Sequence, residues 1–532
     1  MQFEKPLIVW SIAGNDSGGG AGLSADQRAA DAFGVHLCPV VAAITAQNSV
    51  GVAHIEPTSS EVLEAQLAVL AEDMPPAVIK TGMLGNASNV MTVARWVDRL
   101  RERGTVALVI DPVLGSTTGA SFANESMVQA YREWLLPRAT LITPNENEAR
   151  RLAARAGDAL PVLTPNIDSI PTIARTLRAS GAAAVAITCG DSSSISGQSV
   201  DWIDTPHAAG WLALPRVDTL NNHGTGCTFA TSAAAAMALG FVSADALVLA
   251  KMATTHALRH GYAAGQGAGP VASRAGFAII PELMPQMSWG ESLEFGDEIS
   301  PASASEPALD LYAIVDSADR VGQVVATGIK TVQLRIKEPP APDDAWWSVL
   351  RDAIKASVAV CRSAGALLIV NDHWQLAHEL GASAVHVGQE DLLALGDAGR
   401  AQLARTGMRV GVSSHSLWEL ARSRSLNPLY VACGPVWPTL TKAMPWRAQG
   451  LDNLAWWVHM AGVPVVAIGG ILEPGQLSLA AQSGASGVCV VRGLGDDPSK
   501  TVPIWQAALV HGRAEPILPT PAMPHPSLDT TS

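Results

Sequence analysis

Hydrophobic positions in the second half of the chain recur in short β-branched runs separated by stretches with helical periodicity. From residue 310 onward these runs are LYAIV, KTVQL, ALLIV, AVHVG, MRVGV, LYVAC, PVVAI and GVCVV. Eight strand-like runs alternating with helices over about 200 residues are typical of a (β/α)8 barrel. The pattern therefore predicts a TIM barrel over 310–513.

The first half also alternates strand-like and helical stretches, and polar motifs follow its apolar runs. A strand at 6–13 leads into the glycine-rich NDSGGGAGLSAD, and ITAQNS, VIKTGML, LVIDPV and LITPNENEA come later. This alternation predicts a layered α/β domain over 1–285. Ligands of such sheets bind at the carboxyl edge of the strands, which is where these motifs fall.

Two segments lose the hydrophobic periodicity. Residues 286–309 collect Ser, Pro, Glu and Gly, as a linker between domains does. Residues 514–532 are proline-rich and are predicted to form a disordered tail.

Composition and charge narrow the class of protein. The 532 residues carry a net charge of −13 without a basic stripe, which argues against nucleic acid, and no apolar run is long enough to span a bilayer. The six scattered cysteines fit neither a zinc site nor a disulfide scaffold. We therefore expect a cytoplasmic protein with small-molecule substrates, and the sequence leaves open whether it forms a homo-oligomer.

Polar residues cluster where the predicted barrel strands end, and barrel enzymes build their sites on that rim. Asp372 and Asp391 offer hard oxygen ligands for Mg²⁺, which suits a diphosphate substrate. Cations and small polar groups around them could bind phosphates: Arg335, Lys337, Lys442, Thr439, Thr441 and the Gly469–Gly470 backbone. The alternative for each residue singly is a rim salt bridge or a turn.

The segment from 310 to about 495 resembles the thiamin-phosphate synthase family, with QLRIK, ND, GQED, GVSSHS, GPVWPTLTK and IGG in the family's order. The resemblance implies coupling of hydroxymethylpyrimidine diphosphate to hydroxyethylthiazole phosphate. It assigns the pyrimidine diphosphate to Gln333, Arg335, Lys337, Asn371, Ser413 and Lys442. It assigns Mg²⁺ to Asp372 and Asp391, and the thiazole phosphate to Thr439, Thr441, Gly470 and Val491.

Three residues depart from the family pattern. Ile336 stands where Glu is usual, His373 where Arg is frequent, and Arg492 where a serine commonly meets the thiazole phosphate. Arg492 could bind that phosphate itself. The departures leave a divergent barrel as an alternative, either similar to the thiazole tautomerase or a sensor of thiamin phosphates.

HGTGC, at 223–227, opens an alanine-rich helical stretch in the first half. Glycines and the amides of a helix's first turn suit an anion such as phosphate. Cys227 would lie in that turn, where the helix dipole favours the thiolate, so it is a candidate catalytic base. The alternative is a small buried cysteine in a core helix.

Together with HGTGC, the motifs of the first half resemble the hydroxymethylpyrimidine and phosphomethylpyrimidine kinase branch of the ribokinase-like superfamily, over about 6–270. The resemblance implies that Asp26 and Gln47 recognise the aminopyrimidine and that Met83 lines its pocket. It also implies that Cys227 takes the hydroxymethyl proton while the Gly224 to Gly226 amides hold the transferring phosphoryl group. Asn145 and Glu148, with Asp111, are implied in binding Mg²⁺ and ATP.

One departure concerns the nucleotide site. TCGD, at 188–191, stands where the family tends to carry a lysine and a His-bearing glycine turn, and Cys189 cannot supply that charge. Pyridoxal kinase is the nearest alternative, although TAQNS and GTGC favour the pyrimidine. The product of the first predicted activity is a substrate of the second, so we hypothesise a bifunctional enzyme of thiamin biosynthesis.

Overall fold

The chain forms two compact units, Met1–Leu293 and Glu294–Ser532. A computed structural model describes residues 6–115, 124–154, 167–190, 197–293, 295, 309–438 and 445–529. Among these residues, the structure shows no helix with the length and apolar character needed to cross a membrane.

A ten-stranded sheet forms the centre of the first unit. Its strands are β1 Ile8–Asp16, β2 His36–Gln47, β3 Val52–Pro57, β4 Val78–Thr81, β5 Ala107–Ile110, β6 Leu141–Ile142, β7 Val185–Thr188, β8 Gln198–Asp204, β9 Ala209–Pro215 and β10 Gln286–Met287. They lie in the order β10-β9-β8-β7-β6-β5-β4-β1-β2-β3. The strands from β7 to β2 pair in parallel, and β3, β8, β9 and β10 pair antiparallel at the two ends.

Helices pack against this sheet. They are α1 Gly22–Phe33, α2 Ser60–Asp73, α3 Ala87–Arg101, α4 Glu125–Ala130, α5 Glu146–Ala153, α6 Ile170–Ala179, α7 Thr225–Ala238 and α8 Ser243–Arg259. The alanine-rich helix α7 is buried along almost its whole length and packs on α8 and α1. Small side chains allow these helices to approach closely, which explains the composition of the stretch after HGTGC. The predicted layered α/β architecture is confirmed.

The first unit extends beyond its predicted end at 285. β10 pairs with Ala213 and Leu212 of β9, and the buried Ser288 accepts a hydrogen bond from the Trp211 amide (2.8 Å). Gln286–Met287 therefore add an edge strand to the sheet, and residues 286–293 belong to the first unit and not to a linker. The prediction placed the boundary too early because a two-residue edge strand leaves no periodicity in the sequence.

A closed barrel of eight parallel strands forms the second unit. The strands are β11 Asp310–Val315, β12 Thr331–Leu334, β13 Leu367–Asn371, β14 Ala384–Val387, β15 Arg409–Ser414, β16 Tyr430–Cys433, β17 Val465–Ala467 and β18 Gly487–Val490. β11 pairs with both β12 and β18, which closes the barrel. All eight strands coincide with the runs that predicted them, so the TIM-barrel prediction is confirmed.

Helices alternate with the barrel strands. They are α9 Ala318–Ala326, α10 Asp344–Ala364, α11 Trp374–Glu379, α12 Gln389–Ala394, α13 Gly396–Arg405, α14 Leu417–Arg424, α15 Gly450–Met460, α16 Pro474–Gln482 and α17 Pro498–Ala514. The barrel interior holds a cluster of buried side chains that includes Tyr312, Ile369 and Tyr430. This packed interior leaves the strand ends as the place for a site.

The tail predicted to be disordered contacts the barrel in the part that the structure describes. Leu518 donates a backbone hydrogen bond to Gln482 (3.1 Å), and the His525 amide donates to the Asn453 side chain (2.9 Å). Ser527 and Leu528 are buried. The prediction of disorder over 514–529 is therefore wrong. Composition did not reveal this order, because the segment is held largely by hydrogen bonds of its backbone, which require no hydrophobic periodicity.

Candidate active sites

A cavity of about 370 Å³ lies in the first unit at the carboxyl ends of its parallel strands. Its wall combines the glycine-rich loop after β1, the ends of β2, β4, β5 and β6, and the first turn of α7. Most of the predicted kinase residues line it: Gln47, Met83, Asp111, Asn145, Glu148, Gly224, Gly226 and Cys227. The structure therefore brings together motifs that are far apart in the sequence.

Asp16 organises the glycine-rich loop. Its carboxylate accepts hydrogen bonds from the amides of Gly18 (2.8 Å), Gly20 (3.0 Å) and Ala21 (2.8 Å), and His223 Nε2 lies 3.1 Å away. Burial acts to raise the pKa of Asp16, but the hydrogen bonds from His223 and the loop amides outweigh it and lower the pKa. Sequence analysis missed this role, although the NDSGGG motif contains the residue.

Asp26 does not lie in the cavity wall. Its carboxylate is fully buried and accepts hydrogen bonds from Lys80 Nζ (2.9 Å), Ser11 Oγ (2.6 Å) and Thr231 Oγ1 (2.8 Å). These partners leave it no access to an aminopyrimidine, so its predicted role in recognition is wrong. Asp26 instead neutralises Lys80, whose side chain is also fully buried.

Gln47 and Met83 occupy the wall near the glycine-rich loop. Gln47 Nε2 lies 3.2 Å from His223 Nε2, so the two polar groups border the same part of the cavity. A Cβ on Gly14 would lie 2.5 Å from Met83 Cε, and glycine at this position therefore gives the methionine its space. The geometry fits their predicted place beside a flat ring.

Cys227 lies in the first turn of α7, beside two other ionisable groups, Lys80 and Asp111. Burial raises the pKa of the Cys227 thiol to about 12, although the neighbouring Lys80 acts to lower it. The thiol is the resting form, and the expectation of a resting thiolate is corrected. The helix terminus does not compensate for lost solvation and for the negative charges of Asp26 and Asp111.

Asp111 is the acidic neighbour of that thiol. Burial raises its pKa to about 6, while Lys80 and a hydrogen bond from Cys227 act to lower the pKa. Lys80 Nζ lies 3.9 Å from Asp111 Oδ2, so one buried lysine serves two carboxylates. Asp111 is thus ionised at neutral pH and in contact with the candidate base.

Asn145 and Glu148 form a capping box at the start of α5. Asn145 Oδ1 accepts from the Glu148 amide (2.9 Å), and Glu148 Oε2 accepts from the Asn145 amide (3.0 Å). Burial and the charge of Asp111 raise the pKa of Glu148 to about 8. Both residues cap the helix and line the cavity, and Glu148 is buried there.

A buried lysine lies in another part of the same wall. Lys251 Nζ of α8 donates to Asp201 Oδ2 (2.6 Å) and Ser199 Oγ (3.0 Å), and all three residues line the cavity. Cys189 is buried nearby, and burial raises the pKa of its thiol far above the usual value. A cation is therefore present although the TCGD stretch supplies none. Lys251 was not predicted because it lies within α8, where no motif marks it as a site residue.

The barrel site lies on the rim at the carboxyl ends of the strands. Asn371 ends β13, and its side chain donates to Asp372 Oδ2. Loss of solvation and the nearby Asp391 raise the pKa of Asp372 to about 6, while Arg335 acts to lower it. Two carboxylates that disfavour each other's charge are an arrangement that a divalent cation would relieve.

The donor set of this pair fits a metal that shares its ligands with a substrate. In the ranges that the structure describes, no group of three or more His, Cys, Asp or Glu side chains is arranged to hold a metal ion. Mg²⁺ commonly takes one or two carboxylates and completes its shell with substrate phosphates and water. Asp372 and Asp391 suit that mode of binding.

A hydrogen-bonded chain inside the barrel joins two of the predicted site residues. Gln333 donates to the Tyr312 hydroxyl (3.0 Å), which lies 2.7 Å from the Tyr430 hydroxyl. His386 contacts the Tyr430 hydroxyl through Nδ1 (2.9 Å) and Ser413 Oγ through Nε2 (3.0 Å). Burial lowers the pKa of His386 to about 4, so it is neutral at pH 7. His386 was not predicted as a site residue because it lies within the apolar strand β14.

The remaining rim residues follow β12, β17 and β18. Arg335 and Lys337 are exposed after β12, and Val491 and Arg492 are exposed after β18. Gly470 has a φ of 74°, and a Cβ there would lie 2.5 Å from the Trp437 carbonyl oxygen. Ile336 and His373 are half-buried at the same rim. Thr439, Thr441 and Lys442 lie outside the described residues.

Fold and site define a class: a ribokinase-like kinase unit followed by a TIM barrel with polar residues at its strand ends. Family models agree, since the one described as phosphomethylpyrimidine kinase matches residues 16–272 and the one described as thiamine monophosphate synthase matches residues 311–494. Each unit thus has its own family.

Relatives match the two units together and singly. A probable thiamine biosynthetic bifunctional enzyme of Oryza sativa subsp. japonica, named as chloroplastic, is 32% identical over 504 residues, covering 92% of this chain and 86% of the relative. A thiamine-phosphate synthase of Rhizobium etli is 42% identical, covering 38% of this chain and 96% of its own. A phosphomethylpyrimidine kinase structure from Clostridium difficile 630 covers 47% of this chain and 99% of its own, with 26% identity and a TM-score of 0.40.

The chain belongs to the family of bifunctional thiamine biosynthetic enzymes, which join a pyrimidine kinase to thiamine-phosphate synthase. The kinase prediction and the synthase prediction are both confirmed. The roles of individual residues stay predictions.

Proposed function

We propose that the first unit phosphorylates hydroxymethylpyrimidine and then its monophosphate with ATP, and that the barrel couples the resulting diphosphate to hydroxyethylthiazole phosphate. The supporting observation is that each unit matches the model of one of these two families, and that the product of the proposed kinase reaction is the substrate of the proposed coupling reaction. Thiamin phosphate and diphosphate are the final products.

In the kinase unit, the hydroxymethyl oxygen attacks the γ-phosphorus of ATP, and the bond from that phosphorus to the leaving ADP oxygen breaks. Gln47 and Met83 hold the pyrimidine, and the Gly224 to Gly226 amides hold the transferring group. The Cys227 thiol lies beside the ionised Asp111, so the thiol gives its proton to that carboxylate and takes the hydroxyl proton in its place. Asn145 and Glu148 lie where ATP and its Mg²⁺ would bind.

In the barrel, the bond between the pyrimidine methylene carbon and the diphosphate oxygen breaks, and the thiazole nitrogen bonds to that carbon. Arg335 and Lys337 face the negative charge that develops on the diphosphate, and Asn371 and Ser413 orient the substrate. Mg²⁺, held by Asp372 and Asp391, would neutralise part of this charge when bound. Gly470, Val491 and Arg492 are proposed to meet the thiazole phosphate.

The test supplies the purified chain with hydroxymethylpyrimidine, ATP, Mg²⁺ and hydroxyethylthiazole phosphate. We expect thiamin phosphate, detected by its fluorescent oxidation product. A parallel reaction starts from hydroxymethylpyrimidine diphosphate without ATP and tests the barrel alone. If ADP and pyrimidine diphosphate accumulate in the first reaction and neither reaction yields thiamin phosphate, the synthase function of this barrel is contradicted and the kinase function stands.

A further inference from the structure

Residues 524–529, which we term the strap, fold back onto the chain segment 445–453. Asn453 of α15 is fully buried, and its side chain pairs with the backbone of His525 at two points. The Asn453 Oδ1 atom accepts from the His525 amide (2.9 Å), and Nδ2 donates to the His525 carbonyl (3.0 Å). A buried amide without partners would be costly, so the strap satisfies a need of the barrel.

Further contacts fix the strap along its length. The Arg447 amide donates to the Ser527 carbonyl (2.9 Å), and the Arg447 guanidinium forms an ion pair with Asp529. Ser527 and Leu528 are 3% and 4% exposed. Burial of an apolar side chain such as Leu528 is favourable because it removes the side chain from water. The strap is therefore anchored by an apolar side chain as well as by its backbone.

The strap reaches the coupling rim through Gln449, which is fully buried. His525 Nε2 lies 2.8 Å from the Gln449 carbonyl oxygen. The Gln449 amide donates to the Pro435 carbonyl (2.7 Å) after β16, and its Nε2 donates to the His415 carbonyl (2.7 Å) after β15. One buried glutamine thus ties the strap to the ends of two neighbouring strands.

These strand ends belong to the proposed coupling site. His415 follows Ser413 by two residues, and Ser413 is bonded to His386 in the chain that reaches Gln333. The Trp446 ring stacks on the His415 ring with centroids 5.1 Å apart, so the segment held by the strap also packs on the loop after β15. A displacement of the strap would therefore also shift the position of Ser413.

We propose that the strap is a positioning element for the coupling reaction, which sets the loops after β15 and β16 through Asn453 and Gln449. The matched synthase family model ends at residue 494, so the strap lies outside the part of the barrel that this model describes. The proposal rests on the proposed function of the barrel. It adds a determinant of substrate binding far along the chain from the rim motifs.

The test compares the full chain with a chain that stops after residue 523, using kinase activity as the internal control. A chain that stops after residue 529 is the matched truncation, because it keeps the strap. We expect the KM for hydroxymethylpyrimidine diphosphate in coupling to rise about tenfold or more without the strap, since small misplacements of binding groups are costly. Kinase rates should not change, and a peptide of residues 515–532 added in trans should restore the KM.

Leu528→Ser in the full chain gives the same test if the shortened chain does not fold, and Ala522→Ser at an exposed position before the strap is its control. The proposal is overturned if coupling constants are unchanged in both strap variants, or if the peptide fails to restore a folded shortened chain. A full chain that performs no coupling refutes the proposed function and this role together. Unchanged coupling without the strap refutes the role alone.

Discussion

The two active sites handle charge in opposite ways. In the kinase unit, Lys80 and Asp26 form an ion pair that is entirely shielded from solvent, and Lys80 also lies near Asp111. On the barrel rim, Asp372 and Asp391 are exposed, and loss of solvation together with the charge of Asp391 raises the pKa of Asp372. The buried carboxylate of Asp26 thus has its counter-ion before any substrate arrives, whereas the carboxylates of the barrel rim would be neutralised by their ligands.

This difference indicates where each site derives its geometry. A closed interior holds charges only when they are paired, so the kinase groups are fixed by the fold. An open rim tolerates unpaired carboxylates, because solvent and ligands share the cost. We therefore expect mutations at the kinase charges to lower stability strongly as well as activity, and mutations at the rim charges to affect mainly activity, with a smaller, pH-dependent effect on stability.

The largest effect is expected for Lys80→Met. Removing the lysine leaves Asp26 buried without its counter-ion, and loss of one partner of a buried pair costs about 3–5 kcal/mol of unfolding free energy. Denaturant unfolding should show an early transition of the first unit, while coupling from supplied pyrimidine diphosphate persists. The double variant Lys80→Met with Asp26→Leu should recover much of the lost unfolding free energy. If Lys80→Met alone unfolds at the same denaturant concentration as the parent chain, the ion pair does not stabilise the first unit.

Cys227→Ala should separate the two activities without unfolding either unit. The thiol can accept the hydroxyl proton only by giving its own to Asp111, and loss of a side chain that transfers a proton in the reaction lowers the rate by about 10²- to 10⁴-fold. We expect kinase kcat to fall within this range and coupling to be unchanged. The measurement is ADP release with hydroxymethylpyrimidine, alongside coupling from the diphosphate. Kinase activity close to that of the parent chain would show that Asp111 or another group takes the proton without the thiol.

The rim carboxylates predict a pH dependence. Since the pKa of Asp372 is raised to about 6, it becomes protonated as pH falls through that value and loses its affinity for Mg²⁺. Coupling at subsaturating Mg²⁺ should therefore fall by about tenfold per pH unit below this pKa. Asp391→Asn should move the acid limb to lower pH, because it removes the negative charge that raises the pKa, and it should also weaken Mg²⁺ binding.

The same shift has a consequence for stability. A carboxyl whose folded pKa lies above the unfolded value of 3.8 binds its proton more tightly in the folded state. Its favourable contribution is complete below the unfolded pKa and is lost as pH rises through about 6. Unfolding of the barrel without Mg²⁺ should show this trend, and the trend should be weaker in Asp391→Asn.

The sequence was most informative where chemistry follows strands. The eight barrel strands and the rim motifs were predictable because β-branched runs end in polar residues at regular intervals. The kinase cavity was predictable because its motifs also follow strands. Cys227 lines this cavity in the first turn of a helix, as the glycine-rich HGTGC motif predicted.

What the sequence could not provide were partners distant along the chain. Lys80 and Asp26 are 54 residues apart, so nothing local shows that the aspartate faces a lysine and not a ligand. His386 lies in an apolar strand, and only barrel closure brings it to Ser413. The strap was missed for a related reason, because the amide that holds His525 lies 72 residues away.

The smallest expected effect tests whether a helix cap also serves the kinase site. Asn145→Ala removes the hydrogen bond to the Glu148 amide and should cost about 1 kcal/mol of unfolding free energy. Ser59→Ala is the matched control, because Ser59 caps α2 through the Val62 amide and does not line the cavity. Both variants should destabilise the first unit by similar amounts, but only Asn145→Ala should raise the KM for ATP. Equal KM values in the two variants would show that Asn145 acts in the cap alone, and the nucleotide site would then depend on Glu148 and on Lys251 across the cavity.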